Sequence, residues 1–133
     1  MLQRLGVKRE QMDQQPYRLD RVRRATVLAA VRAVCLRRGW DLWAAHARTN
    51  HVHVVVEAKA RPEMVLQALK AYSSRELNRI GGDQEGRKRW ARHGSTRWLW
   101  KDDDVRAAVE YVVARQGEKM EVYVGVGVGV TAP

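Results

Sequence analysis

An α+β fold is what this sequence predicts, and three observations carry the prediction. Four valines stand among the eight residues from Asn50 to Glu57, and β-branched side chains suit a pleated, half-buried strand. A second strand, Trp40 to Ala47, precedes it across the short turn Arg48-Thr49-Asn50, which implies an antiparallel hairpin. Apolar residues recur at helical spacing on both sides of that hairpin, before Gly39 and after Pro62. The element order is then strand–helix–strand–strand–helix–strand–helix–strand. It fits a ferredoxin-like βαββαβ core, an antiparallel sheet with helices packed on one face.

Residues 1–16 form the least defined part of the chain: Gln3 to Lys8 reads as a short strand and Glu10 to Pro16 as polar loop. Asp20 to Arg38 reads as a helix: Leu19, Val22, Val27, Ala30, Val31, Val34 and Cys35 recur at spacings close to the helical period and mark an apolar face. Asp20 suits the N-cap or first turn and Gly39 the C-terminal stop. Arginines fill the other positions and read first as a solvated face. The second helix runs from Pro62, a residue suited to a first turn, to Asn78, and Gly81-Gly82 ends it. Its apolar stripe includes Val65, Leu69 and Tyr72. A strand is expected at Arg97 to Lys101. Asp102-Asp103-Asp104 then opens a third helix, because acidic residues are favoured where the helix dipole is positive; Val105, Ala108, Val109 and Val112 make its inner face. A last strand covers Glu121 to Val124. The Gly-Val alternation from Gly125 to Val130 reads as a weak edge strand or a flexible tail.

The 133 residues suffice for one domain with a single core, and no second domain or internal repeat is visible. A net charge of +10 and a pI near 10.5 favour a polyanionic partner, nucleic acid ahead of an acidic membrane surface. The single cysteine, Cys35, excludes an intramolecular disulfide and fits a reducing compartment such as the cytoplasm. No apolar run approaches the ~20 residues of a membrane span.

Side chains alternate along a strand, so His51 and His53 share a face, about 7 Å apart along the chain. Two imidazoles on one face of a stiff strand make a bidentate platform for a divalent metal. A strand that merely exposes two histidines is the plainer alternative. His46, in the preceding strand, reads as a hydrogen-bonded structural residue ahead of a further ligand. Basic residues interleaved with tryptophan, Arg87, Arg89, Trp90, Arg92 and Arg97, suit single-stranded nucleic acid, since cations follow the backbone and aromatic faces stack on unpaired bases. The same tryptophans could fill a core. Of the four tyrosines, Tyr123 reads as strand packing, Tyr72 lies on an apolar stripe, and Tyr17 falls in poorly defined sequence. Tyr111 stands roughly 100–120° from the centre of its helix's apolar face and can leave the core.

Several blocks taken together resemble a known family. Thr49-Asn50-His51-Val52-His53-Val54-Val55-Val56 resembles the HUH motif of the single-tyrosine transposases of small bacterial insertion sequences, and of their relatives, the REP-associated tyrosine transposases. The block from Leu69 to Asn78, Trp90 to Ser95, Arg97 to Trp100, and Val109 to Val113 are similar to that family's following segments. The resemblance covers roughly residues 20–124 and implies a DNA endonuclease and strand transferase acting on single-stranded DNA, often beside a hairpin, and working as a homodimer. His51 and His53 would hold Mg2+ or Mn2+, and Tyr111 would be the nucleophile that becomes covalently joined to DNA. The family commonly places a Gln or Asn four residues after the tyrosine as third ligand. That position here is Arg115, which cannot ligate a cation, so Gln116 is expected to be the ligand, with Glu110 in reserve. Arg115 is then suited to a phosphate beside Tyr111, and Arg75 joins the basic DNA-binding set. A catalytically inactive, domesticated DNA-binding relative is the alternative reading. A structural zinc domain is disfavoured, because closed zinc sites take four ligands, often cysteines.

Overall fold

Valine decides the middle of the sheet. The computed structural model describes residues 2–8, 16–90, 95–99, 101–115 and 117–125, with backbone alone at 2–8 and 95–98. In it β3, His51–Glu57, is the central strand of five. Val52, Val54 and Val56 face one core and Val55 the other, all 3% exposed or less. β2, Asp41–Ala47, and β1, Leu2–Lys8, pair with β3 on its two sides, both antiparallel. β4, Ser95–Leu99, pairs with β1, and β5, Glu121–Val124, pairs with β2, giving the order β4-β1-β3-β2-β5.

The first four strands with α1, Arg21–Arg38, and α2, Pro62–Ile80, form the expected ferredoxin-like core. Asp20 caps α1 by accepting the Arg23 N–H through its side chain at 2.9 Å. Gly39 ends it with φ 71°, a left-handed conformation that glycine adopts without steric cost. α1 and α2 lie together over the Val52, Val54 and Val56 face, where Val31, Val34, Val65, Leu69 and Leu77 complete the larger core. Helices on one face describes only these two. The third, α3 from Asp102 to Ala114, covers the opposite face, packing Val105, Ala108, Val109, Val112 and Val113 on Ala44, Val55 and Leu99. The physical reason is the alternation of β3: Val55 and Ala44 are apolar on the side the first two helices leave uncovered, and α3 is the remaining apolar stripe.

The weakly signalled N-terminal strand is present and lies between β3 and β4, so the sheet is complete. β4 begins two residues earlier than expected and ends at Leu99, because its register is set by pairing with β1, Leu2 opposite Leu99 and Gly6 opposite Ser95. The Gly-Val tail beyond Gly125 lies outside the described residues. No helix among those described is long and apolar enough to cross a membrane.

Candidate metal and nucleophile site

The histidine pair stands on the face that α3 covers. Alternation puts His51 and His53 on the same side as Val55, and their rings converge edge to face, centroids 4.6 Å apart with planes at 88°. His53 is buried, 8% exposed, and His51 is half-buried. Asn50 Oδ1 lies 2.8 Å from His51 Nδ1. With Nδ1–H donating to that carbonyl, the His51 ring is oriented, the usual outer support of a metal-binding histidine. The sequence reading did not single out Asn50. The signal available was a carboxamide directly preceding the first histidine.

His46 is the link between this face and α3. It sits opposite His53 in the β2–β3 register and is fully buried. Its Nδ1 lies 2.9 Å from the Val112 carbonyl, and its Nε2 accepts the Met120 N–H at 3.0 Å. A carbonyl can only accept and an N–H only donate, so the imidazole is neutral with its proton on Nδ1. Burial holds its pKa below the ordinary 6.5, with the charges of Arg48 and Lys119 acting in the same direction and the Val112 hydrogen bond acting against them. Both nitrogens are engaged, which is the structural role expected for His46.

Tyr111 precedes Val112 and lies on the outer side of α3, 40% exposed. The other tyrosines sit in the fold. Tyr17 is 5% exposed and its hydroxyl donates to Asp83 Oδ2 at 2.6 Å; Tyr72 and Tyr123 are partly buried against the larger core. Arg115, the α3 C-cap, lies one turn after Tyr111, with its guanidinium on Glu110 Oε1 at 3.2 Å at the surface. Glu110 is thus engaged by Arg115. Gln116 lies outside the described residues. Among those described, no group of three or more His, Cys, Asp or Glu could hold a metal ion. Two imidazoles are a donor type that suits a first-row divalent ion.

Two residues expected on the DNA-binding side are taken up by the fold instead. Arg89 is 8% exposed. Its guanidinium donates to Asp83 Oδ2 at 2.9 Å, Asn78 Oδ1 at 2.8 Å and the Ser74 carbonyl at 3.3 Å. Trp90 packs against the larger core, and its Nε1–H donates to Ser74 Oγ at 2.6 Å. A half-buried carboxylate claims the one and a buried apolar surface the other. Arg75 is exposed, its guanidinium over the Tyr72 ring at 5.1 Å, and Arg87 lies over Tyr17 at 5.4 Å. Arg92, and the side chain of Arg97 in β4, fall outside what is described.

A ferredoxin-like sheet with an H-x-H pair on its middle strand, beneath a helix that presents a tyrosine, defines an HUH-type domain. The family model described as "Transposase IS200 like" matches residues 14–121. The chain belongs to that family. A solved structure of a REP-associated tyrosine transposase bound to a REP hairpin is similar in fold, with a TM-score of 0.62 at 14% identity, covering 86% of this chain. This chain spans 65% of the length of that one. No curated protein sequence matches it.

Proposed function

We propose that the protein is a metal-dependent single-stranded DNA endonuclease and strand transferase that works through a phosphotyrosyl intermediate. The observation that carries this reading is the convergence of His51 and His53 on the sheet face covered by α3, the helix that exposes Tyr111.

His51 and His53, with Gln116, would hold Mg2+ or Mn2+. Such an ion, when bound, draws charge from a non-bridging phosphate oxygen and eases attack on an anionic ester. The Tyr111 phenol oxygen attacks phosphorus and gives up its proton. The bond to the 3′ oxygen breaks, and that oxygen takes a proton to become a free 3′-hydroxyl. The new P–O bond to tyrosine keeps the phosphodiester energy, so a later 3′-hydroxyl can attack, release the phenol and join DNA without ATP. A phenol of pKa about 10 leaves more readily than a serine alkoxide would. Arg115, one turn after Tyr111, is an exposed cation able to hold a phosphate beside this chemistry, and Arg75, exposed on α2, one able to hold DNA backbone elsewhere. The protein is proposed to work as a homodimer. The substrate class, single-stranded DNA next to a hairpin, is supported by the family match and the basic charge. A cytoplasmic site of action on bacterial DNA agrees with the lone, buried Cys35.

The test is a denaturant-resistant protein–DNA adduct. Purified protein with Mn2+ and single-stranded oligonucleotides tiled across the DNA flanking its gene should form one. Tyr111→Phe should form none, and His51→Ala or His53→Ala should lower its yield at least a hundredfold. An adduct that survives in Tyr111→Phe removes Tyr111 from the role. DNA binding without an adduct in the unaltered protein favours the inactive relative.

A further inference from the structure

We infer that His46 is a positioning residue for Tyr111, acting through a hydrogen bond from a sheet strand to the last turn of the nucleophile's helix; this rests on the reading of Tyr111 given above. The last four carbonyls of a helix have no partner within it. In α3 these belong to residues 111–114. The Tyr111 carbonyl receives the Arg115 N–H at 3.1 Å. The Val112 carbonyl receives the His46 ring from β2 instead, across the core boundary. The other nitrogen of that ring holds Met120, the residue before β5. A single rigid side chain therefore spans three segments: β2, the end of α3 and the start of β5.

Its position matters as much as its bonds. His46 is directly opposite His53 across the ladder, so the strand level that carries the histidine pair is also the level to which α3 is tied. Tyr111 is one residue from the tethered carbonyl. The apolar contacts of α3 are with Ala44, Val55 and Leu99, with Trp43 and Val122 partly buried against them, and such contacts are non-directional. The directional contact between His46 and Val112 is what resists a slide. A misplacement of about 1 Å can cost on the order of 10²-fold in rate, so losing this contact should slow the attack by Tyr111 while leaving surface contacts with DNA unchanged.

Two variants separate the two bonds. His46→Gln can place a carbonyl oxygen where Nε2 accepts from Met120 but nothing where Nδ1 donates to Val112. His46→Asn restores a donor at the Nδ1 position and leaves the Met120 N–H unmet. Each full-length variant keeps one contact and should fold, as circular dichroism would show; an unfolded variant at 25 °C counts against a positioning role. With the tiled oligonucleotides and Mn2+, His46→Gln should form the adduct at least tenfold more slowly at saturating DNA, with its Kd for DNA within twofold. His46→Asn should recover to within threefold of the unaltered rate. An unslowed His46→Gln, or equal slowing in both, overturns the inference. A second readout does not need activity. In protein labelled with 3-fluorotyrosine, the Tyr111 signal, assigned by its loss in Tyr111→Phe, should move in His46→Gln and return in His46→Asn, while Tyr17 and Tyr72 stay fixed. If the unaltered protein forms no adduct the functional reading fails, and this signal alone decides: movement confined to His46→Gln supports the tether, and no movement refutes it.

Discussion

On one face of the sheet, α1 and α2 are joined to the loop that follows them through ionised groups; on the other, α3 is joined to β2 through a neutral imidazole. Asp83 is the hub of the first arrangement. It accepts from Tyr17, Arg23 and Arg89, and Arg23 also reaches Asp20 at 2.7 Å. The loop after α2 is thereby held against the N-terminal end of α1. Burial pushes the Asp83 carboxyl pKa up, but the hydrogen bonds from Tyr17 and Arg89 and the charges of Arg23 and Arg89 prevail and hold it below the usual 3.8. His46 is the hub of the second, and there burial dominates and keeps the ring uncharged. The comparison teaches that a basic chain can use a few of its arginines in its own architecture on one face of the sheet and join a helix to the other face through an uncharged ring.

The largest expected effect is on the ionic side. Asp83→Ala leaves Arg89 buried without its carboxylate, and breaking a buried pair costs about 3–5 kcal/mol. Urea denaturation should show that loss, and a cost below about 1 kcal/mol would mean that the hub adds little to the fold. The next effect is a separation in pH. A buried histidine with a lowered pKa contributes fully above 6.5, and that contribution is lost as pH falls from 6.5 toward its folded value, because the unfolded chain takes up the proton first. A carboxylate with a lowered pKa contributes fully above 3.8 and loses its contribution only below that. Backbone amide spectra recorded from pH 7 to pH 3 should therefore change at Val112 and Met120 well before Tyr17, Asp83 and Arg89. Simultaneous change would break the contrast. The smallest effect is at the surface: Asp20→Ala removes the α1 cap and should cost about 1 kcal/mol, read as a lower melting temperature with no change in the adduct assay.

Much of this was legible because it is local. The caps of α1 are a carboxylate and a glycine at the ends of a periodic stretch, and the limits of β5 came out at Glu121 and Val124 as expected. The exposure of Tyr111 followed from its angle to the Val105–Val109–Val112 stripe. What was illegible depends on distant partners. Arg89 and Trp90 look like a nucleic-acid site when read beside Arg87 and Lys88, yet Asp83 and Ser74 determine where they go. The clue was a pair of acids, Asp83 and Glu85, directly before a run of bases. Tyr17 had no readable local context because its partner is 66 residues away. The face that α3 covers is not legible, because its stripe says that it packs, not on which side.

The place of β1 in the sheet has a consequence for biosynthesis. Of the five strands β1 is made first, yet both of its neighbours, β3 and β4, are encoded downstream, the second of them only at Ser95–Leu99. The β2–β3 hairpin can form early from neighbouring sequence, whereas β1 must wait with unpaired backbone edges until most of the chain has been made. Of the five strands, β1 is thus the one whose edges stay unpaired longest during synthesis, and residues 2–8 are where a chaperone would have most to protect.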